Sequence, residues 1–386
     1  MKILHIISSS GMYGAEAVIL NLSRTLNEGG HRSMVGVFAN ASNPNLQLHQ
    51  SDISEGIESH LIPCKGQLDR VVLSGIRELV ASTQADVVHA HGYKADVYAY
   101  LALRGAHMPM VSTCHNWLDN DPLVYLYGVI DRLVLRRYAA VVAVSDEVKQ
   151  RLLHSGVRAA KVHQIRNGID LRPFERAAPT LREEMHLGQV PIVGLVGRLA
   201  KEKGVDIFLR AAAQVLRDFP SAQFVVVGDG PDREQLDGLV SELKLREHVS
   251  LLGRRDDMPS VYASLDVMVS ASRQEGLPMA ILEGMASSKP MVATAVGDVP
   301  AVVLDGRTGV LVPAENVPLL AAAIARLLHD AALREQLGSA ARELIQQEFS
   351  AGRMAAEYLR VYQQVAAQHE STRQVDTFAI SEEKMK

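Results

Sequence analysis

The sequence predicts an α/β protein built as two tandem doubly wound units. Three observations carry that prediction. Short, nearly all-apolar runs alternate with helical patterns, as strands buried on both faces of a parallel sheet do. The alternation pauses after Asn167-Gly168 and restarts at Ile192. A chain of 386 residues with 47% hydrophobic content can fill two cores.

The first half reads in order as follows. Residues 3–7 form a buried strand, and the small-residue loop 8–14 leads to a helix over 15–26, stopped by Gly29-Gly30. Strands follow at 34–38 and 56–62, then a helix at 71–80. A strand at 86–89 precedes a helix at 96–103, and a strand at 109–114 precedes a helix at 124–138. The strand 140–144 runs into a helix at 146–153 with Ser145 as its N-cap. Asn167-Gly168 is a turn signal, and the charged stretch to about residue 189, with Pro179 and Gly188, reads as a linker.

The second half repeats the pattern. Strands are predicted at 192–196, 223–227, 249–252, 265–269, 290–293 and 309–312. Helices are predicted at 205–216, from 232 to 243, 258–263, after Pro278, at 319–328 and at 333–349. A last helix spans 354–367 after the break at 350–352, and the polar tail from about 371 reads as loose. The domains are thus expected at 1–172 and 185–350, with 353–370 packing back on the first.

Composition narrows the function. Two cysteines, Cys64 and Cys114, far apart in sequence, fit a reduced, cytoplasmic compartment. The apolar start, residues 2–7, is too short for a signal peptide, and no stretch of about 18 apolar residues exists. The net charge of −4 argues against a nucleic-acid partner. Residues 1–180 hold 18 Lys and Arg against 16 Asp and Glu, so the first half is the mildly basic one. The helix at 124–138 sets Arg132, Arg136 and Arg137 beside Leu126, Ile130 and Leu133. It is either an ordinary amphipathic surface helix or a peripheral contact for the inner face of a membrane.

Ligands of doubly wound units bind outside the carboxyl ends of the strands. Two stretches there carry chemistry. After the strand at 265–269 come Glu275, Gly276, Leu277, Pro278, Met279, Ala280, Ile281, Leu282 and Glu283. Gly276 loosens the backbone, and Pro278 suits the first residue of a helix. The N–H groups of Met279, Ala280 and Ile281 then lack intrahelical partners at the positive end of the dipole, which makes a phosphate cradle. A carboxylate there needs a neutral polar partner, such as a sugar hydroxyl. After the strand at 192–196 come Gly197, Arg198 and, at the next helix start, Lys203. A guanidinium fork and an ammonium suit a diphosphate; a charged surface loop is the alternative.

Taken together these motifs resemble those of the retaining GT-B glycosyltransferases, the large family-four group. The resemblance spans nearly the whole chain. It shows in the loop 11–16, in Asp86-Val87-Val88-His89-Ala90-His91, His115, Val144-Ser145 and Asn167-Gly168-Ile169-Asp170. It continues in Gly197-Arg198-Leu199 with Lys203-Gly204, in Gly228-Asp229-Gly230-Pro231, and in Glu275 to Glu283. It implies two Rossmann-like domains facing a central cleft. It implies a hexosyltransferase-type reaction in which a sugar passes from a UDP- or GDP-linked donor to a glycan or lipid-linked acceptor. No cofactor and no metal would be required. Arg198 and Lys203 would clamp the diphosphate, and Glu275 would stand near the donor sugar. The N–H groups of Leu277 to Ala280 would hold phosphate, and Glu283 would accept from the ribose. Gly253 and Arg254, with Asp257, would flank the base. Gly14 would approach the diphosphate, and His115 would contact the donor sugar.

Other readings compete. His115 could simply bond nearby backbone, and His89 or His91 could line the acceptor side or pack. Cys114 alternates with His115 on a buried strand and has no support as a nucleophile. Asp119-Asn120-Asp121 matches a metal-binding pattern, yet Asp is also a common helix cap. Residues 11–14 do not form the Gly-x-Gly-x-x-Gly turn of a nicotinamide dinucleotide site. Epimerisation of a nucleotide sugar on the same fold is the alternative reaction.

Overall fold

The computed structural model describes residues 1–9, 14–40, 46–65, 69–115 and 122–383, and side chains outside 122–127 and 372–383. The chain divides into two units, Met1–Gly168 with Ala351–Lys386, and Ile169–Ser350.

The first unit runs β1 (Lys2–Ile7), α1 (Gly14–Glu28), β2 (Arg32–Asn40), α2 (Gln47–Ser54), β3 (Glu58–Cys64), α3 (Arg70–Thr83), β4 (Val87–His91), α4 (Tyr93–Leu103), β5 (Met110–Cys114), α5 (Pro122–Leu135), β6 (Ala140–Ala143), α6 (Asp146–His154) and β7 (Val162–Gln164). The seven strands lie parallel in the order β3-β2-β1-β4-β5-β6-β7. Side chains alternate between the sheet faces. On one face Leu4, Ile6, Val88 and Ala90 join a core with Tyr98, Leu135 and Tyr138. The same alternation sends His5, His89, His91 and Thr113 to the other face, and His5 is the register partner of His89, and His91 of Thr113.

The second unit runs α7 (Arg172–Glu175), α8 (Thr180–Glu184), β8 (Ile192–Val196), α9 (Val205–Val215), β9 (Gln223–Val227), α10 (Arg233–Glu242), β10 (Val249–Gly253), α11 (Met258–Ser264), β11 (Val267–Ser270), α12 (Met279–Ala286), β12 (Met291–Thr294), β13 (Gly309–Val312), α13 (Val317–His329) and α14 (Ala331–Glu348). Its six parallel strands lie in the order β10-β9-β8-β11-β12-β13. Val193, Leu195, Phe208, Phe224, Val267 and Ile324 stand in its core.

The last helix, α15 (Ala351–Glu383), belongs to the first unit. Tyr362 and Tyr358 on it meet His89 Nδ1 at 2.7 Å and Thr113 Oγ1 at 2.9 Å.

Four differences from the sequence reading have physical reasons. The stretch read as a linker holds α7 and α8, because Leu181 is fully buried and Arg182 donates to Asp266 and to Val190 O (2.8 Å). Helix α2 escapes a periodicity search because the residues it buries are Leu48 and the polar Asp52, while Ile53 is exposed. Strand β7, of three residues, is too short to show a pattern. Helix α15 continues to Glu383, well past the expected end, since no Pro or Gly interrupts residues 353–383.

Candidate active site

The strand order of the second sheet reverses between β8 and β11, which are direct neighbours with Val193 opposite Val267 and Leu195 opposite Val269. Loops leaving the carboxyl ends of two such strands must diverge to opposite faces, and the space between them takes a ligand. The loop after β8 carries Lys203, and the loop after β11 carries Glu275. The structure brings these two together: Lys203 Nζ donates to Glu275 Oε1 at 2.5 Å, and Ser272 Oγ donates to the same oxygen at 2.7 Å. The Glu275 side chain is 9% exposed and that of Lys203 is 24% exposed. The expectation of a neutral partner for Glu275 overlooked this ammonium.

The two loops are held by contacts that sequence reasoning missed. Arg273 N–H donates to Glu202 O (2.8 Å), and its guanidinium donates to Lys201 O (2.7 Å). The same fork grips Asp206 with two bonds of 2.8 Å, and a further bond reaches Glu315. Asp206 is held below the usual carboxylate range by that guanidinium. Gly204 has φ +63°, and a Cβ on it would fall 2.0 Å from Ala271 O, so this close approach of the loops requires glycine. Arg273 stands two residues before Glu275, but nothing in the sequence shows which carboxylates it meets.

Helix α12 begins at Met279, with Pro278 outside it as the N-cap at φ −72° and ψ 134°. That places proline one position earlier than the sequence suggested. Ile281 N–H turns back to Pro278 O (3.1 Å), so Met279 and Ala280 are left, among the described residues, as the open donors of this helix end. Gly276 and Leu277 precede it, and Gly276 O accepts from Asp298 N–H (3.2 Å). A turn and a half into α12, Glu283 Oε2 accepts from Tyr262 Oη at 2.6 Å. Burial raises the Glu283 carboxyl and the tyrosine bond opposes that rise.

Arg198 is exposed in the loop after β8, next to Gly197, whose N–H donates to Val227 O (3.0 Å). Gly253 ends β10 at φ +71° and accepts from Gly228 N–H at 2.8 Å. Arg254 beside it is exposed. Asp257 is engaged by Arg255, which also grips Glu184 through bonds of 2.6 and 2.8 Å.

The remaining candidates lie in the first unit. Gly14 is the first residue of α1 rather than a loop residue. His115 follows β5; burial pulls its imidazole down to about 4, so it is neutral at pH 7. Its ring stacks on that of His91, with centroids 5.8 Å apart. His89 and His91 are packed, not presented. His89 bonds Tyr362 and Thr113 through its two nitrogens, and His91 Nε2 lies 3.0 Å from His5 Nδ1. His5, His89 and His91 are the one metal-ligand grouping among the described residues. Both His89 nitrogens are already satisfied, so the grouping works as a neutral hydrogen-bonded layer under α15. Burial pushes the Cys114 thiol up, which leaves it unreactive. Asp119, Asn120 and Asp121 lie outside the described residues.

Residues 180–344 match the family model described as glycosyl transferases group 1, and residues 12–172 match that of glycosyltransferase family 4. The chain is 32% identical to the alpha-D-kanosaminyltransferase of Streptomyces kanamyceticus, over 72% of this chain and 77% of that one. It is 28% identical to the phosphatidyl-myo-inositol mannosyltransferase of Mycobacterium leprae, over 92% and 93% respectively. The crystal structure of Anabaena HepE in complex with UDP-glucose superposes with a TM-score of 0.81, at 24% identity, over 96% of this chain and all of that one. That likeness shows the same GT-B fold.

Proposed function

The chain belongs to the group 1 glycosyltransferases, and from that premise we propose that it moves a sugar from a UDP- or GDP-linked donor to a glycan or lipid-linked acceptor with retention at the anomeric carbon. One observation carries the reading. Lys203, Glu275 and the open end of α12 converge at the switch point of the second sheet.

The division of labour follows from charge. Lys203 spends one of its three hydrogens on Glu275, so two remain for phosphate oxygens. Arg198 offers a second cation, and the Met279 and Ala280 N–H groups offer neutral donors at a positive helix end. As the anomeric C–O bond breaks, the electron pair stays with the diphosphate, and these groups stabilise it. The acceptor oxygen forms the new bond and its proton leaves with the diphosphate. Cations fixed by the protein do here what a divalent metal does elsewhere, so we assign a metal-independent reaction. With Oε1 held by Lys203 and Ser272, Glu275 is a poor nucleophile, and Oε2 is left to accept from a hydroxyl of the donor sugar. His115, neutral, is assigned to the same sugar.

Kanosaminyl and mannosyl transfer by the relatives supports a hexose donor, and the name of the mycobacterial relative supports a lipid-bearing acceptor. A second feature favours peripheral contact with a membrane. No helix among the described residues is long and apolar enough to cross one. On α5, however, Ile130 and Leu133 are 38% and 55% exposed, and a cavity of about 260 Å³ beside it is lined by Arg132, Arg151, His154 and Ser155. Burial, with the charges of Arg158 and Arg137, pulls the Lys161 ammonium down, so these cations lie within reach of one another. An apolar ridge with basic flanks suits an anionic bilayer. Two buried free thiols support a reducing, cytoplasmic setting.

The test is incubation with a panel of UDP- and GDP-sugars, with and without lipid-linked and oligosaccharide acceptors. Free nucleotide released only when acceptor is present, with an α product from an α donor by NMR, supports the reading. Conversion of the donor without acceptor would instead make the protein an epimerase.

A further inference from the structure

The family resemblance would have Glu283 accept from the donor ribose, and that expectation leaves Tyr262 unexplained. Tyr262 is a large residue with no exposure at all, on the short helix α11. Its ring packs against Phe174 of α7, with centroids 6.1 Å apart. Its hydroxyl is aimed at one atom, Glu283 Oε2, at 2.6 Å. Such a short bond from O–H to carboxylate is of the charge-assisted class.

Resting on that donor reading, we propose that Tyr262 is a positioning residue that fixes Glu283 toward the 2′- and 3′-hydroxyls of the donor, and so makes the site select ribonucleotides over 2′-deoxyribonucleotides. A free glutamate side chain rotates about three bonds and would present its oxygens in many directions. The tyrosine takes one of about four lone-pair positions and holds the plane of the carboxyl group. The others stay open to a diol. A group placed to accept a hydroxyl is left unpaired when that hydroxyl is missing, which is how such sites reject the deoxy analogue.

Tyr262 also bears on the charge of Glu283. Burial raises the carboxyl, and the phenol bond lowers it again. Burial keeps the phenol itself protonated, well above its ordinary range. Among the described residues no other titratable group acts on Glu283; Arg342 of α14 meets the far end of α12, at Ala286 O (2.9 Å). Removing the phenol hydroxyl therefore moves the protonation of Glu283 to higher pH. A merely structural tyrosine predicts no such movement.

The experiment is calorimetric titration of the full chain with UDP and 2′-deoxy-UDP, and with the GDP pair, across pH 5 to 8. The wild type binds the ribonucleotide about tenfold tighter or more. Tyr262→Phe brings the ratio close to one by weakening the ribonucleotide alone, and shifts the acid limb of its binding to higher pH. Glu283→Gln, which leaves Tyr262 in place, also collapses the ratio and removes the limb, and it serves if the tyrosine variant does not fold. A wild-type ratio and limb in Tyr262→Phe, or a wild-type ratio in Glu283→Gln, overturns the proposal. Equal weakening of both nucleotides with an unmoved limb also overturns it. Wild-type protein that binds the ribo and deoxy forms equally sinks the proposal alone, whereas protein that binds no nucleoside diphosphate sinks the donor reading beneath it.

Discussion

Lys203 and Glu275, 72 positions apart in the chain, meet through an ammonium–carboxylate bond of 2.5 Å. Neither belongs to a strand or to a long helix. Each sits in a loop whose start is set by a central strand, and the adjacency of β8 and β11 sets the distance between them. The pair therefore follows from topology rather than from local sequence.

Removing either partner exposes its function. On the proposed reading, Lys203→Ala takes away a charge that would stabilise the departing diphosphate, and Glu275→Ala takes away an acceptor for the donor sugar. Each is expected to lower kcat by about a hundredfold or more, as is Arg198→Ala, the scale of losing one charge-stabilising group. Steady-state kinetics with saturating donor checks this. Turnover within twofold of wild type in all three variants contradicts the assignment.

Two glycines near Glu275 should respond in opposite ways. Gly297 has φ +52°, and a Cβ there would fall 1.8 Å from Glu275 O. Gly297→Ala should cost about 2 kcal/mol or more, from left-handed strain and overpacking together. Gly276 has nothing within 4 Å of an added Cβ. Gly276→Ala should unfold at the wild-type urea concentration, yet lower kcat/KM at least about tenfold, since on the proposed reading its methyl crowds the phosphate cradle. Urea melts and kinetics of the two variants separate packing from ligand approach.

The histidine layer makes the first unit sensitive to acid. Burial holds His5 down to about 3 and His115 to about 4, against 6.5 when unfolded. The stabilisation is complete above pH 6.5 and is lost as pH falls toward those values, because the unfolded chain takes up protons that the folded one refuses. Buried Asp52, raised to about 7, and Asp96, raised by burial and by Asp131, work the other way. A single variant isolates one group. His5→Gln should flatten the slope of unfolding free energy between pH 4 and 6 by about one proton, or about 1.4 kcal/mol per pH unit. An unchanged slope means that His5 is charged in the folded protein.

Metal independence is separately testable. After dialysis against excess EDTA, the transfer rate should stay within about twofold of the untreated enzyme, since on the proposed reading fixed cations supply the charge. Loss of activity restored by Mg²⁺ or Mn²⁺ contradicts the assignment.

Much of this was legible in the sequence, and the reasons differ by element. The apolar runs at 3–7 and 192–196 announced buried parallel strands, because strands covered on both faces need no polar alternation. Glu275, Lys203 and the start of α12 were legible since glycine and proline punctuate the same loops that the fold places at the strand ends. Arg273, Ser272 and Tyr262 were not. Their importance lies in partners at Asp206, Glu275 and Glu283, and a single sequence does not show pairing. The same holds for His89, for which the sequence leaves the acceptor side and packing both open, because its partner Tyr362 lies 273 positions away.

The most direct test of the central claim is the affinity of the isolated, ligand-free enzyme for UDP and GDP, measured by calorimetry beside that of Lys203→Ala. One of the two nucleotides is expected to bind the wild type, and the variant to bind it at least about tenfold more weakly, as loss of a charge-assisted bond requires. Equal affinity in the two proteins would contradict it.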